Sequence, residues 1–310
     1  MLSPTSYIVL LTVLLNGSAL SAFQGFIVTS FLAELRTTST CLGLCEINRL
    51  TSEIDKMAYI TNPKMVGSGL LACIPQKGRC PNNCKDCFFQ SGRSYLEPLD
   101  ENLPNMPSIK EAKTRIVRVN DGNDSNNDAN LCILATEAYP FKFYNTSKVG
   151  SFSKFDAPVV LTINPGEMTD NGFYKLRAIP ENLMFMRFRT NTWNLELLDK
   201  AVDFYTKQNR LSARNVPIVL TFMAYYGDEQ VDNVNIPAIK RSDYIYRKRT
   251  SNNYWAITTH AWDYVMSLYR HNKWVYSCGK IEGEQGDTHC ARCGNCVREY
   301  FVTMERMRVK

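Results

Sequence analysis

Three stretches of this chain are apolar on both faces, and they limit its fold more than any other feature. They are PVVLTIN (158–164), LMFMRFRT (183–190) and PIVLTFMAY (217–225). A strand with one face in water alternates apolar and polar residues, whereas a strand covered on both faces does not. Between the second and third stretches, Leu195, Leu198, Val202 and Tyr205 recur at helical spacing. Asn194 is placed to cap that helix, which the pattern carries to about Gln208. A further helix is expected over 261–270 and a last short strand over 273–277. Strands of this kind, separated by amphipathic helices, predict an α/β fold with a parallel sheet covered by helices. An open sheet and a barrel share this pattern, and in both the chemistry gathers at the C-terminal ends of the strands. Pro165-Gly166-Glu167 follows the first stretch, and Arg189, Thr190 and Asn191 end the second.

The chain has 310 residues and 11 cysteines, an odd number that a closed disulfide framework would not use up. The cysteines are crowded at two places, and crowding in a long chain points to metal or iron–sulfur ligation; disulfide scaffolds belong to small secreted chains. The first group is CPNNCKDC (80–87), with Cys80, Cys84 and Cys87 among turn formers. A structural zinc site wants a fourth ligand, which Cys73 could supply. A [4Fe–4S] cluster held by three thiolates keeps one iron open for an exogenous ligand.

The spacing of that first group resembles the hallmark Cys-x3-Cys-x2-Cys of the radical S-adenosylmethionine superfamily. The resemblance implies a full or partial (β/α) TIM-like barrel and a [4Fe–4S] cluster on Cys80, Cys84 and Cys87. It implies that the open iron binds S-adenosylmethionine, whose reductive cleavage gives a radical that abstracts a hydrogen from a substrate. An electron donor such as flavodoxin or ferredoxin is implied with it. Family members carry a Gly-Gly-Glu-like turn after the second strand that holds the S-adenosylmethionine amino group. Gly166 and Glu167 match that turn, a carboxylate there accepting charge-assisted hydrogen bonds from an ammonium. Asn191 is the candidate for the ribose or carboxylate. Two features depart from the family: the residue before the third cysteine is Asp86 where an aromatic is usual, and the distance from Cys87 to Glu167 is long.

The second group is Cys278 with CARCGNC, that is Cys290, Cys293 and Cys296. Four thiols with two tight gaps read either as a second [4Fe–4S] cluster, as some radical S-adenosylmethionine enzymes carry near the C-terminus, or as a zinc site with Gly294 easing the turn. The layout of an upstream trio and a terminal CxxCxxC also resembles the phage-associated gene-product-88-like proteins, a resemblance that implies no known activity.

Residues 1–33 carry no charged side chain, and YIVLLTVLL (7–15) is too short to span a bilayer. The run is like a signal h-region without the basic residues that precede one. We expect residues 1–56 to be an N-terminal extension, either signal-like or upstream of a true start at Met57. Residues 57–270 are expected to form the (β/α) domain, with an insertion around 100–150 whose tip is VNDGNDSNNDAN (119–130). Residues 271–310 are expected to form a C-terminal Cys-rich metal-binding extension. Cys73 and Cys132 read as buried small hydrophobes. A cytoplasmic enzyme with no membrane partner is the expectation. The alternative is a non-catalytic protein that binds zinc and nucleic acid, using KRSDYIYRKR (240–249), which otherwise reads as a solvated loop. The net charge of +6 permits nucleic acid without demanding it.

Overall fold

The fold is given by a computed structural model, which describes residues 58–84, 87, 89, 94–149, 152–165, 179–207, 214–226, 236, 238–248, 253–279 and 289–308. All of these fall in one compact unit, Glu53–Lys310.

Seven parallel strands form the main sheet: β1 (Leu70–Cys73), β2 (Ile116–Val119), β3 (Lys142–Thr146), β4 (Val159–Ile163), β5 (Leu183–Thr190), β6 (Ile218–Phe222) and β10 (Val275–Ser277). Their order across the sheet is their order along the chain. Each new strand is added beside the last, so the sheet has no point at which the order reverses. A doubly wound sheet places its ligand crevice at such a reversal.

Both faces are covered. On one, Cys132 of α3 (Ala129–Ala135), Leu198, Ala201 and Tyr205 of α4 (Leu195–Thr206) and Val265 of α5 (Thr259–Leu268) pack with Val117, Tyr144, Leu161, Phe188 and Leu220 of the strands. On the other, Tyr300 of the last helix, α7 (Asn295–Arg308), lies among Leu70, Ile116, Phe143, Val160, Phe185 and Val219, with Val297 and Met304 beside it. Here is the reason that the strands read as apolar on both sides.

The region around 100–150 is not an insertion. After two short helices, α1 (Leu99–Asn102) and α2 (Ile109–Ala112), it supplies β2, α3 and β3, which are central to the sheet. Buried polar residues had hidden these strands. Arg118 in β2 pairs with Asp121 at 3.0 Å, and Lys142 in β3 pairs with Asp156 at 2.8 Å and donates to the Thr136 carbonyl at 3.1 Å. Residues 119–130 are not a free tip either: they are the β2–α3 connection, with Asn120, Asp124 and Ser125 buried. The strand expected over 273–277 is β10, hydrogen bonded to β6, so the Cys-rich segment begins inside the sheet.

At the start of α4, Asn194 occupies the capping position without a side-chain bond. Asn191 does that work, its Oδ1 accepting from the backbone N–H of Trp193 at 3.1 Å and of Asn194 at 2.9 Å. Between β6 and α5 a small antiparallel sheet is inserted, in the order β7 (Tyr225–Tyr226), β9 (Tyr254–Ile257), β8 (Tyr244–Arg247). The basic stretch therefore folds as a 3-10 turn, Ala238–Asp243, and a strand, rather than a loop. No helix among the described residues is long and apolar enough to cross a membrane.

Candidate metal and cofactor site

The loop that follows β1 carries Cys80, Cys84 and Cys87, at the C-terminal edge of the parallel sheet. It is held there by the loops that follow β2 and β3. Asp124, 3% exposed, is the joint. Its carboxylate accepts from the Thr146 hydroxyl at 2.7 Å, from the backbone N–H and hydroxyl of Ser147 at 2.7 Å each, and from the Asn126 N–H at 2.8 Å. The Asn82 amide reaches the same carboxylate at 3.3 Å from inside the cysteine loop. Asn127 donates to the Cys80 sulfur at 3.4 Å, while Lys148 donates to the Asn127 carbonyl oxygen at 2.7 Å.

Two further contacts fix the loop. The Cys87 N–H bonds to the Cys84 carbonyl at 3.2 Å. The ring of Phe89 lies so close to Gly122 that a Cβ there would stand 2.1 Å from it. Glycine is required at 122 by that approach. Cys80 is buried, and burial pushes its thiol above the ordinary value; the Asp124 charge adds to this, and bonds from the Asn82 N–H and Asn127 oppose it.

The second group is assembled from two parts of the C-terminal segment. Cys278 directly follows β10 and extends its ladder, its N–H bonding to the Leu220 carbonyl at 2.7 Å. Cys290 and Cys293 lie on the single turn α6 (Cys290–Cys293), which Gly294 ends in the left-handed conformation, φ +66°. Cys296 is in the first turn of α7. The Asn295 amide donates to the Ser277 carbonyl at 2.7 Å and so pins the start of α7 to the end of β10. A hydrogen bond from Cys293 holds the Cys278 thiol below its ordinary value despite burial, with help from Arg187 and Arg118. The same bond and burial push Cys293 up. Cys290 is pushed up to about 11 by burial.

Beneath these sulfurs, on the face of the sheet that α7 covers, sit two arginines. Arg118 is opposed by burial, but the Asp121 carboxylate outweighs this and holds its charge. Asp121 also accepts from the Asn62 amide at 2.6 Å. Arg187, 9% exposed, donates to Asn145 Oδ1 at 3.1 Å and to Thr162 Oγ1 at 3.4 Å.

Gly166 and Glu167 lie outside the described residues, and the strand before them, β4, is the fourth strand of the sheet, where the family turn follows the second. Asn191 is 4% exposed, and its amide donates to the Tyr225 hydroxyl at 3.0 Å, so its side chain serves the start of α4 and the small sheet. Arg189 donates to Asn164 Oδ1 at 3.0 Å, and Thr190 is fully buried. Cys73 and Cys132 are fully buried, as expected of small core residues, although Cys132 also accepts from the amides of Gln76 and Asn120 at 3.2 and 3.3 Å. The nine cysteines among the described residues form no disulfides.

Sequence reading missed Asp124, Asn127, Gly122, Arg118 and Arg187. The signal for the first three was their position directly after a strand, which was itself unrecognised. As the side chains stand, no three His, Cys, Asp or Glu residues among those described converge as metal ligands do. The donor chemistry still fits a soft metal: three thiols in one loop, and four that interact through Cys278 above buried cations. Comparison with protein-family models, curated proteins and solved structures finds no significant match.

Proposed function

We propose that this chain is a radical S-adenosylmethionine enzyme built on a partial (β/α) barrel, with a second metal centre at its C-terminal cysteines. One observation carries the reading: both cysteine groups lie at the C-terminal edge of a parallel sheet whose strands follow one another in chain order, the trio directly after the first strand. That winding is the winding of a barrel, and that edge is where barrels place their chemistry.

Cys80, Cys84 and Cys87 would hold a [4Fe–4S] cluster, and Cys278, Cys290, Cys293 and Cys296 a second cluster or zinc. Both sites need the thiol side chains to rotate into a common geometry, which sulfur on a single χ1 can do. When bound, the first cluster with S-adenosylmethionine supplies the reductive cleavage that opens hydrogen abstraction. The chain's own part is to seat Cys80 through Asn127 and Asp124, to wall the loop with Phe89 against Gly122, and to offer a carboxylate to the cofactor's ammonium. Asp121 and Asp124, in the loop after β2, are both engaged within the protein. Glu167 is the acceptor proposed in their place, with Gly166 beside it; Asn191 is not, because its amide is already used. A flavodoxin- or ferredoxin-type donor would supply the electron.

The test is iron, sulfide and zinc content of anaerobically reconstituted protein, with low-temperature EPR after dithionite. Iron near two cubane equivalents, and a signal altered by S-adenosylmethionine, supports the proposal; zinc with negligible iron ends it.

One observation favours the zinc and nucleic-acid alternative. Tyr246 and Trp255 pair across β8 and β9 with ring centroids 5.3 Å apart, both partly exposed, beside Arg247 and Lys248. Aromatic and basic side chains together can stack bases and follow a backbone. A steep salt dependence of single-stranded oligonucleotide binding is what this reading requires.

A further inference from the structure

A guanidinium sealed from water needs an anion. The cost of burying a charge is several kcal/mol unless it is paired. Arg118 meets the requirement with Asp121. Arg187, 9% exposed, does not: its oxygen partners are the neutral side chains of Asn145 and Thr162, and among the described residues no carboxylate pairs with it. Arg118, a second cation, lies close enough to lower its charge affinity further.

What does face Arg187 is sulfur. Cys296 and Cys278 are the anionic groups that most favour its charge, and Arg187 bonds to the Cys296 sulfur. Cys278, Cys290 and Cys296 pack against the apolar residues just below on the same sheet face. Four neutral thiols would leave the guanidinium unbalanced. Zn2+ or a [4Fe–4S]2+ cubane ringed by four thiolates is a dianion in either case. We propose that Arg187 is the counter-cation of a metal–thiolate centre held by Cys278, Cys290, Cys293 and Cys296, and that it sets the affinity of that centre for its metal. The inference rests on the reading of these four cysteines as a metal centre and adds the residue that balances its charge.

The experiment uses the full chain with Cys80, Cys84 and Cys87 replaced by Ala, so that only the C-terminal group can take metal. Zn2+ affinity is measured by competition with a chromophoric chelator. Arg187→Met is expected to weaken Zn2+ binding about 10–100-fold, the usual effect of losing a group that supports metal ligands. Arg187→Lys, which keeps the charge, is expected to stay close to the parent. Melting of the chelator-treated proteins separates a role in folding from a role at the metal: Arg187→Met should melt no lower than the parent, since replacing a buried charge by an apolar side chain of similar size is often neutral or stabilising. Equal affinity in the parent and in Arg187→Met overturns the inference and leaves the metal centre standing. Equal losses in Arg187→Met and Arg187→Lys also overturn it, since charge would not then be the cause. Failure of the parent to bind one Zn2+, or binding that survives Cys293→Ala, overturns the metal centre itself and the inference with it.

Discussion

Asn127 lies in the loop after β2, yet its side-chain amide donates to the sulfur of Cys80 in the loop after β1, at 3.4 Å. Two connections far apart in the chain thus form one structure at the sheet edge, and Asp124 is the group on which both depend.

Replacing Asp124 with Ala should remove that support. The Thr146 and Ser147 donors would lose a buried charged acceptor, at a cost on the order of 2–3 kcal/mol. Urea unfolding should show the loss, and hydrogen exchange should quicken across residues 80–84. Unchanged exchange there would mean that the cysteine loop holds itself.

Gly122→Ala should be destabilising through Phe89 alone. The added methyl would stand 2.1 Å from the ring, and overpacking of this kind costs about 1–3 kcal/mol. Pairing it with Phe89→Leu should recover part of the loss in a double-mutant cycle. Strict additivity of the two substitutions would count against direct contact.

Tyr300→Ala should separate α7 from the sheet. Tyr300 is 2% exposed, and losing a large buried aromatic costs about 3–5 kcal/mol. Because Cys296 sits on α7 and Cys278 on the end of β10, metal held by the C-terminal group should be lost with the helix, while the trio after β1 keeps its own. The absorbance of reconstituted protein with and without the substitution reads both.

Under the proposed function, Cys84→Ala should abolish reductive cleavage of S-adenosylmethionine, and Cys293→Ala should leave the first cluster spectroscopically intact. Retained cleavage in Cys84→Ala would exclude the assignment of the trio.

Alkali should weaken the fold through Cys132. Burial pushes its thiol up to about 12, from an ordinary value of 9.0. A folded value above the unfolded one means stability that is present below about 9 and is lost as pH rises toward about 12. The slope is roughly 1.4 kcal/mol per pH unit inside that window. Comparing wild type with Cys132→Ala in urea at pH 8 and 10.5 isolates the contribution: the gap between them should narrow at the higher pH.

Strands β4 to β6 were legible because their residues are apolar on both sides. Strands β2 and β3 were not, because Arg118, Lys142 and Asn145 break the pattern, and their partners come from other elements. The same reason hid the site's supports. Residues 119–130 have the composition of a solvated loop, and only the fold reveals that Asp124 is buried under donors from β3. Cysteine spacing, by contrast, is local and could be read directly. Arg187 had no local signal, since what distinguishes it is the absence of a carboxylate in three dimensions.

The placement of Tyr300 beside Leu70 has a kinetic consequence. An apolar face begun by the earliest described strand is closed by the latest described helix, so every strand must form before that face is shielded. Contacts so distant in sequence make for slow folding, with an adhesive intermediate exposed meanwhile. This chain is therefore expected to depend on holdase chaperones and to gain yield from lowered expression temperature.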